Sequence, residues 1–129
     1  MTDALVLTLP NEERFFALIR LVVGGFASQL DLPYDRMDDL QLAVEAVLAR
    51  AADHGDVTLR IESREHGIVV SVRPVVEEAV GDIRPDPEAG FGLRQILATL
   101  VSGVEVVSLD GEQWLRLEQA IPSKEPAQT

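Results

Sequence analysis

Two apolar periodicities alternate along this chain, and their order constrains the fold more than any single residue. Phe15, Leu18, Ile19, Val22, Val23 and Phe26 recur at helical spacing. A second helical run follows from about Asp35, with Met37, Leu40, Leu42, Val44, Val47 and Leu48. Strand-like alternation flanks this pair. Ala4–Leu9 precedes it and stops at Pro10, and Val57–Ser63 follows it, with Val57, Leu59 and Ile61 on one face and Thr58, Arg60 and Glu62 on the other. Arg64–Gly67 is a turn, and Ile68–Val72 completes an antiparallel hairpin. A third helix is predicted over Phe91–Val101. A strand at Val104–Leu109, a turn at Asp110-Gly111 and a strand at Trp114–Ala120 close the pattern. Strand, helix, helix, strand, strand, loop, helix, strand, strand predicts an α+β fold: a two-layer sandwich, mainly antiparallel, covered by about three helices on one face. The other face must be solvated or covered by a partner.

The helices are predicted at Asn11–Gln29, Asp35–Asp53 and Phe91–Val101. Asn11 is expected as the first N-cap, with Glu12 and Glu13 in the first turn facing the positive end of the dipole. Gly24-Gly25 means a weakened helix end or a closely packed neighbour. The predicted core is Phe15, Leu18, Ile19, Val22, Leu40, Val44, Val47, Leu59, Val70, Leu93, Ile96, Leu97, Leu100 and Leu115. Pro74–Ala89, with three prolines and little periodicity, reads as a long loop of the functional kind. Residues 1–122 are expected to form one domain, with Ser123–Thr129 as a flexible tail.

Composition removes several classes of function. The chain has no cysteine, so disulfide frameworks and thiolate chemistry are excluded, in keeping with a reducing cytoplasm. His54 and His66 stand in polar surroundings without zinc-ligand spacing, so no metal site is expected. Met1-Thr2-Asp3 lacks the basic start of a secretory leader, and Leu18–Phe26 is short and broken by Arg20, so neither a leader nor a membrane span is expected. Net charge is −11, from 22 acidic and 11 basic residues. That disfavours direct nucleic-acid binding, which needs clustered Lys and Arg, and suits solubility or a basic protein partner.

One motif points to a ligand. Gly90-Phe91-Gly92-Leu93 opens the third helix, and the free N–H groups of a helix start favour an anion such as phosphate. The alternative is a tight entry turn that lets the helix pack near the sheet.

The order of elements, the helix reading Leu40-Gln41-Leu42-Ala43-Val44-Glu45-Ala46-Val47 and the Gly90-Phe91-Gly92-Leu93 turn together resemble the anti-sigma factor serine kinases (RsbW-like) of the histidine-kinase/gyrase ATPase superfamily. The resemblance runs from about Leu5 to Ile121. It implies a second helix carrying E-x-x-x-N, whose Glu polarises a hydroxyl and whose Asn holds Mg²⁺. Here Glu45 stands as a vestigial base candidate, and Ala49 replaces the metal ligand with a methyl. The fixed charge of the adjacent Arg50 can fill some of the metal's space. Glu45 is otherwise an exposed helix acid paired with Arg50. The family next implies D-x-G-x-G after the second hairpin strand, whose Asp reads adenine. Arg73 falls near that position and accepts no hydrogen bond, and Pro74, Val75 and Val76 resist the turns such a loop needs. Gly90, Gly92 and Leu93 would form a weak phosphate turn.

With both other motifs lost, little or no ATP or Mg²⁺ binding is expected, because phosphoryl transfer rests on positioning and charge neutralisation. The resemblance implies a cytoplasmic anti-sigma factor with a sigma factor and an anti-anti-sigma protein as partners and a homodimeric state. Active serine kinase activity on the anti-anti-sigma partner is the alternative, and an interaction domain with another partner is the third.

Overall fold

The computed structural model describes residues 4–50, 55–75 and 93–121. Strand β1 (Ala4–Pro10) leads through a 3₁₀ turn (Glu13–Phe15) into α1 (Phe16–Ala27) and then α2 (Tyr34–Arg50). Hairpin β2 (Asp56–Arg64) and β3 (Gly67–Arg73) follows. Helix α3 (Leu93–Leu100) precedes hairpin β4 (Gly103–Leu109) and β5 (Glu112–Ala120). The five strands form one sheet in the order β1-β2-β3-β5-β4, antiparallel at every junction. This is the α+β two-layer sandwich that the periodicity predicts.

Alternation sets the layers. Leu59, Ile61, Ile68, Val70, Val72, Leu115 and Leu117 face the helices, which answer with Ile19 and Val23 of α1, Leu40, Val44 and Leu48 of α2, and Leu93 and Leu97 of α3. The outer face is sealed by its own side chains. Val69 and Ser71 of the central strand are buried there too, in rows flanked by charged residues that pair as Arg60–Glu62, Arg64–Glu62 and Arg116–Glu105. At the β4–β5 turn, Asp110 (φ 53°) and Gly111 (φ 81°) both adopt positive φ, as a two-residue hairpin turn requires. Gly67 serves a close approach: a Cβ there would lie 2.5 Å from the Gln119 carbonyl oxygen on β5.

Helix α2 lies in the middle of its layer, packed on α1 at one flank and α3 at the other. Its N-terminal end meets the C-terminal end of α3 at Gln119, which is buried. The Gln119 Nε2 donates to the carbonyls of Arg36 (3.0 Å) and Leu100 (2.8 Å), and its Oε1 accepts from Ser102 (3.2 Å). Helix α3 therefore ends beside the N-terminal end of α2. No helix among the described residues is long and apolar enough to cross a membrane.

Three expectations need correction. Asn11 caps no helix: a 3₁₀ turn intervenes and α1 starts at Phe16. Asn11 is buried instead, its Nδ2 donating to the Leu48 carbonyl at the end of α2 (3.0 Å) and its backbone N–H to Gly55 (3.0 Å). Leu18 and Ile96 are not core residues, at 44% and 39% exposure. In α1 the inward stripe is Ile19, Val23 and Ala27, spaced by four; in α3 it is Leu93 and Leu97, so Leu18 and Ile96 fall on the flanks. Phe15, Val22 and Leu100 pack against the core while only partly buried. The expectations for Pro74–Ala89 beyond Val75, for His54 and for Ser123–Thr129 lie outside the described residues.

Candidate functional site

Helix geometry decides what Glu45 can reach. Successive residues turn by about 100° around a helix, and Gln41 and Glu45, four apart, share one flank of α2. That flank faces α1. The Gln41 Nε2 donates to the Arg20 carbonyl at 2.7 Å. The Arg20 Nη2 reaches both Glu45 oxygens, at 2.7 and 2.5 Å. The sequence expectation paired Glu45 with Arg50; the structure pairs it with Arg20, because the antiparallel α1 brings Arg20 alongside. The hydrogen bond and the negative charge of Glu45, with a smaller contribution from Asp38, raise the pKa of the Arg20 guanidinium and hold it more firmly protonated.

Ala49 is exposed one turn further on and offers no oxygen to a cation. The flank of α2 that faces α3 carries other residues. Ala46 turns about 100° away from Glu45, and Arg50 falls further round on that side. Gly90 and Gly92 lie outside the described residues. Leu93, the first residue of α3, is 1% exposed and packs in the core, so its side chain anchors the helix start. The structure thus brings Glu45 to Arg20, and sets Leu93 at the other flank of the middle helix.

Arg73 stands on the outer face of the sheet, opposite the helices. Its Nη1 pairs with Glu112 at 2.5 Å, and its guanidinium lies 5.3 Å from the centre of the Trp114 ring. Val72 is the last β3 side chain in the core. The side chain at the expected adenine-reading position therefore points out of the space between sheet and helices.

The sequence reading did not identify a groove between α1 and α2. It has a volume of about 560 Å³ and is lined by Phe16, Ala17, Leu21, Gly24 and Gly25, with Glu13, Arg20, Gln41 and Glu45 around them. Leu21 is 71% exposed. The signals that could have revealed it are Gly24-Gly25, of which Gly25 leaves the helix surface bare, and an apolar run on α1 too wide for one buried stripe.

An antiparallel five-stranded sheet under three helices is consistent with the histidine-kinase/gyrase class of ATPase fold. Within that class the chain is similar in sequence to proteins named RsbW. It is 26% identical to the serine-protein kinase RsbW of Bacillus velezensis over 84% of this chain and 81% of that protein. It is 29% identical to RsbW of Bacillus subtilis over 54% of this chain and 48% of the relative. A 52-residue stretch is 31% identical to RsbW of Halalkalibacterium halodurans, over 40% and 32% of the two chains. No family model matches the chain.

Proposed function

We propose that this protein is an RsbW-like anti-sigma factor that regulates transcription by binding other proteins, with a degenerate ATP site. The observation that carries this reading is the Arg20–Glu45 pair. A general base needs a carboxylate aimed at the proton it takes. Both Glu45 oxygens are engaged by Arg20 on the flank facing α1, and Ala49 supplies no metal ligand. The partners in this reading are a sigma factor and a releasing anti-anti-sigma protein. The acidic balance of the chain fits basic partners.

Two measurements test it. Calorimetric titration with ATP, with and without Mg²⁺, should give no binding at micromolar affinity (about −8 kcal/mol). A sigma subunit from the same cell should bind the purified chain without nucleotide. Absence of any sigma complex removes the reading.

The name of the relatives favours a second reading, a serine-protein kinase acting on the anti-anti-sigma partner. Mg²⁺-dependent transfer of labelled phosphate, abolished by Glu45→Ala, would establish it. A homodimer belongs to either reading. The apolar N-terminal residues Leu5, Leu7, Leu9 and Phe16 are the candidates for its contact; Leu9 is buried, Leu7 and Phe16 are partly buried, and Leu5 is 40% exposed.

A further inference from the structure

Among the described residues, half of the exposed large apolar side chains stand on two adjacent helices. Leu18 and Leu21 of α1 and Tyr34 and Leu42 of α2 are four of the eight, with exposures from 44% to 82%. Of these, Leu21 lines the α1–α2 groove. At Gly25 a Cβ would meet nothing within 4 Å, so the groove is open above that glycine. Ala17, Gly24 and Gly25 give it a low floor, and Phe16 and Leu21 give it apolar walls. Its lining carries one carboxylate in excess: Arg20 and Glu45 neutralise each other, which leaves Glu13.

We infer that the groove between α1 and α2 receives an amphipathic helix of a partner protein, apolar along one face and flanked by lysine or arginine. This rests on the protein-binding reading above. The shape favours a helix, because two antiparallel helices leave a furrow into which the side-chain ridge of a third can pack, and the bare Gly25 lets it approach closely. Apolar residues at positions i, i+3, i+4 and i+7 of the incoming helix meet Phe16 and Leu21. Its cations meet Glu13, and the net −11 of the chain draws such a helix in.

The test uses the full chain and a fluorescein-labelled 18-residue amphipathic peptide of leucine and lysine, followed by anisotropy. Two control peptides accompany it: a scrambled one of the same composition and a leucine/glutamate counterpart. Gly25→Leu fills the groove, and Leu21→Lys removes an apolar wall and repels cations. Both positions are exposed, and circular dichroism melting checks that each variant is folded. Leu109→Lys, on β4 and 47% exposed, is the distant control. The amphipathic basic peptide should bind saturably. Gly25→Leu and Leu21→Lys should each weaken it at least about tenfold, as loss of a central anchor does, while Leu109→Lys leaves it unchanged. Equal binding by the scrambled or acidic peptide, or full affinity in Gly25→Leu, overturns the inference. Sigma-subunit binding to the same variants separates the two proposals. If the subunit binds Gly25→Leu as it binds the parent, the groove assignment fails and the anti-sigma reading stands. If the parent binds no sigma subunit, the anti-sigma reading fails and the peptide titration still decides the groove.

Discussion

Adjacent glycines in α1 play opposite parts, and the difference is measurable. A Cβ on Gly24 would lie 2.9 Å from the Gln41 Nε2, which is held in a part-buried hydrogen bond to the Arg20 carbonyl. Gly24→Ala must displace that amide, and the expected loss is about 1–2 kcal/mol. Gly25 has open space around it. Gly25→Ala should gain about 0.5–1 kcal/mol, because alanine loses less backbone freedom in a helix. Urea midpoints of the two variants should move in opposite directions; a shift of the same sign in both would contradict this assignment. The sequence offered both meanings for the pair, a weak helix end or a close neighbour, and could not divide them, since the neighbour lies in another helix. Gln119 was equally illegible. Alternation places it inward, but only the fold shows three hydrogen-bonding partners waiting there. Gln119→Leu keeps the volume and strands the carbonyls of Arg36 and Leu100, so about 2–4 kcal/mol should be lost in the same assay.

Among whole elements, strands were easier to read than helix ends. Period-two alternation fixed both hairpins, and Asp110-Gly111 fixed a turn, because these signals depend on near neighbours alone. The start of α1 was misread because Asn11 followed by two acids looks like a cap, whereas tertiary packing uses its amide to tie down the end of α2. For the candidate site, Glu45 and Ala49 were visible in the sequence, but the Arg20 partner, 25 residues away, was not.

Hairpin β2–β3 also carries a pH signature. Glu62 sits between Arg60 and Arg64, at 3.0 and 3.3 Å. Burial alone would raise its pKa, but hydrogen bonds and charge from the two arginines outweigh burial and lower it. A carboxyl with a lowered folded pKa contributes stability above its unfolded value, near 4.5, and loses that contribution as pH falls through the folded value. The arginines are nearly half exposed, so the contribution is screened to less than about 1 kcal/mol. Glu62→Gln should therefore be slightly less stable at pH 7, and the gap should close on acidification below pH 4. A gap that persists at pH 2.5 would assign the effect to packing.

For the molecule as a whole, charge and the free edge of β1 act against each other. Among the described residues β1 pairs with β2 on one side only, and residues 4–10 carry no charge, no lysine and no bulge to discourage another strand. Val6, 57% exposed, and Leu5 present apolar surface at that edge. A two-fold axis through β1 would pair two such edges antiparallel, which is self-complementary. Two chains of charge −11 repel each other, and salt screens that repulsion over about 10 Å at 0.1 M. A dimer formed at this edge should therefore strengthen as salt rises, the reverse of one held by ion pairs. Sedimentation equilibrium across an added-salt series should show the weight-average mass climbing from near 14.1 kDa toward twice that value. Val6→Lys places a cation at the edge without disturbing the core, and should return the protein to a monomer at every salt concentration. A monomer mass independent of both salt and protein concentration would eliminate the homodimer. A dimer that survives Val6→Lys would move its interface to another face.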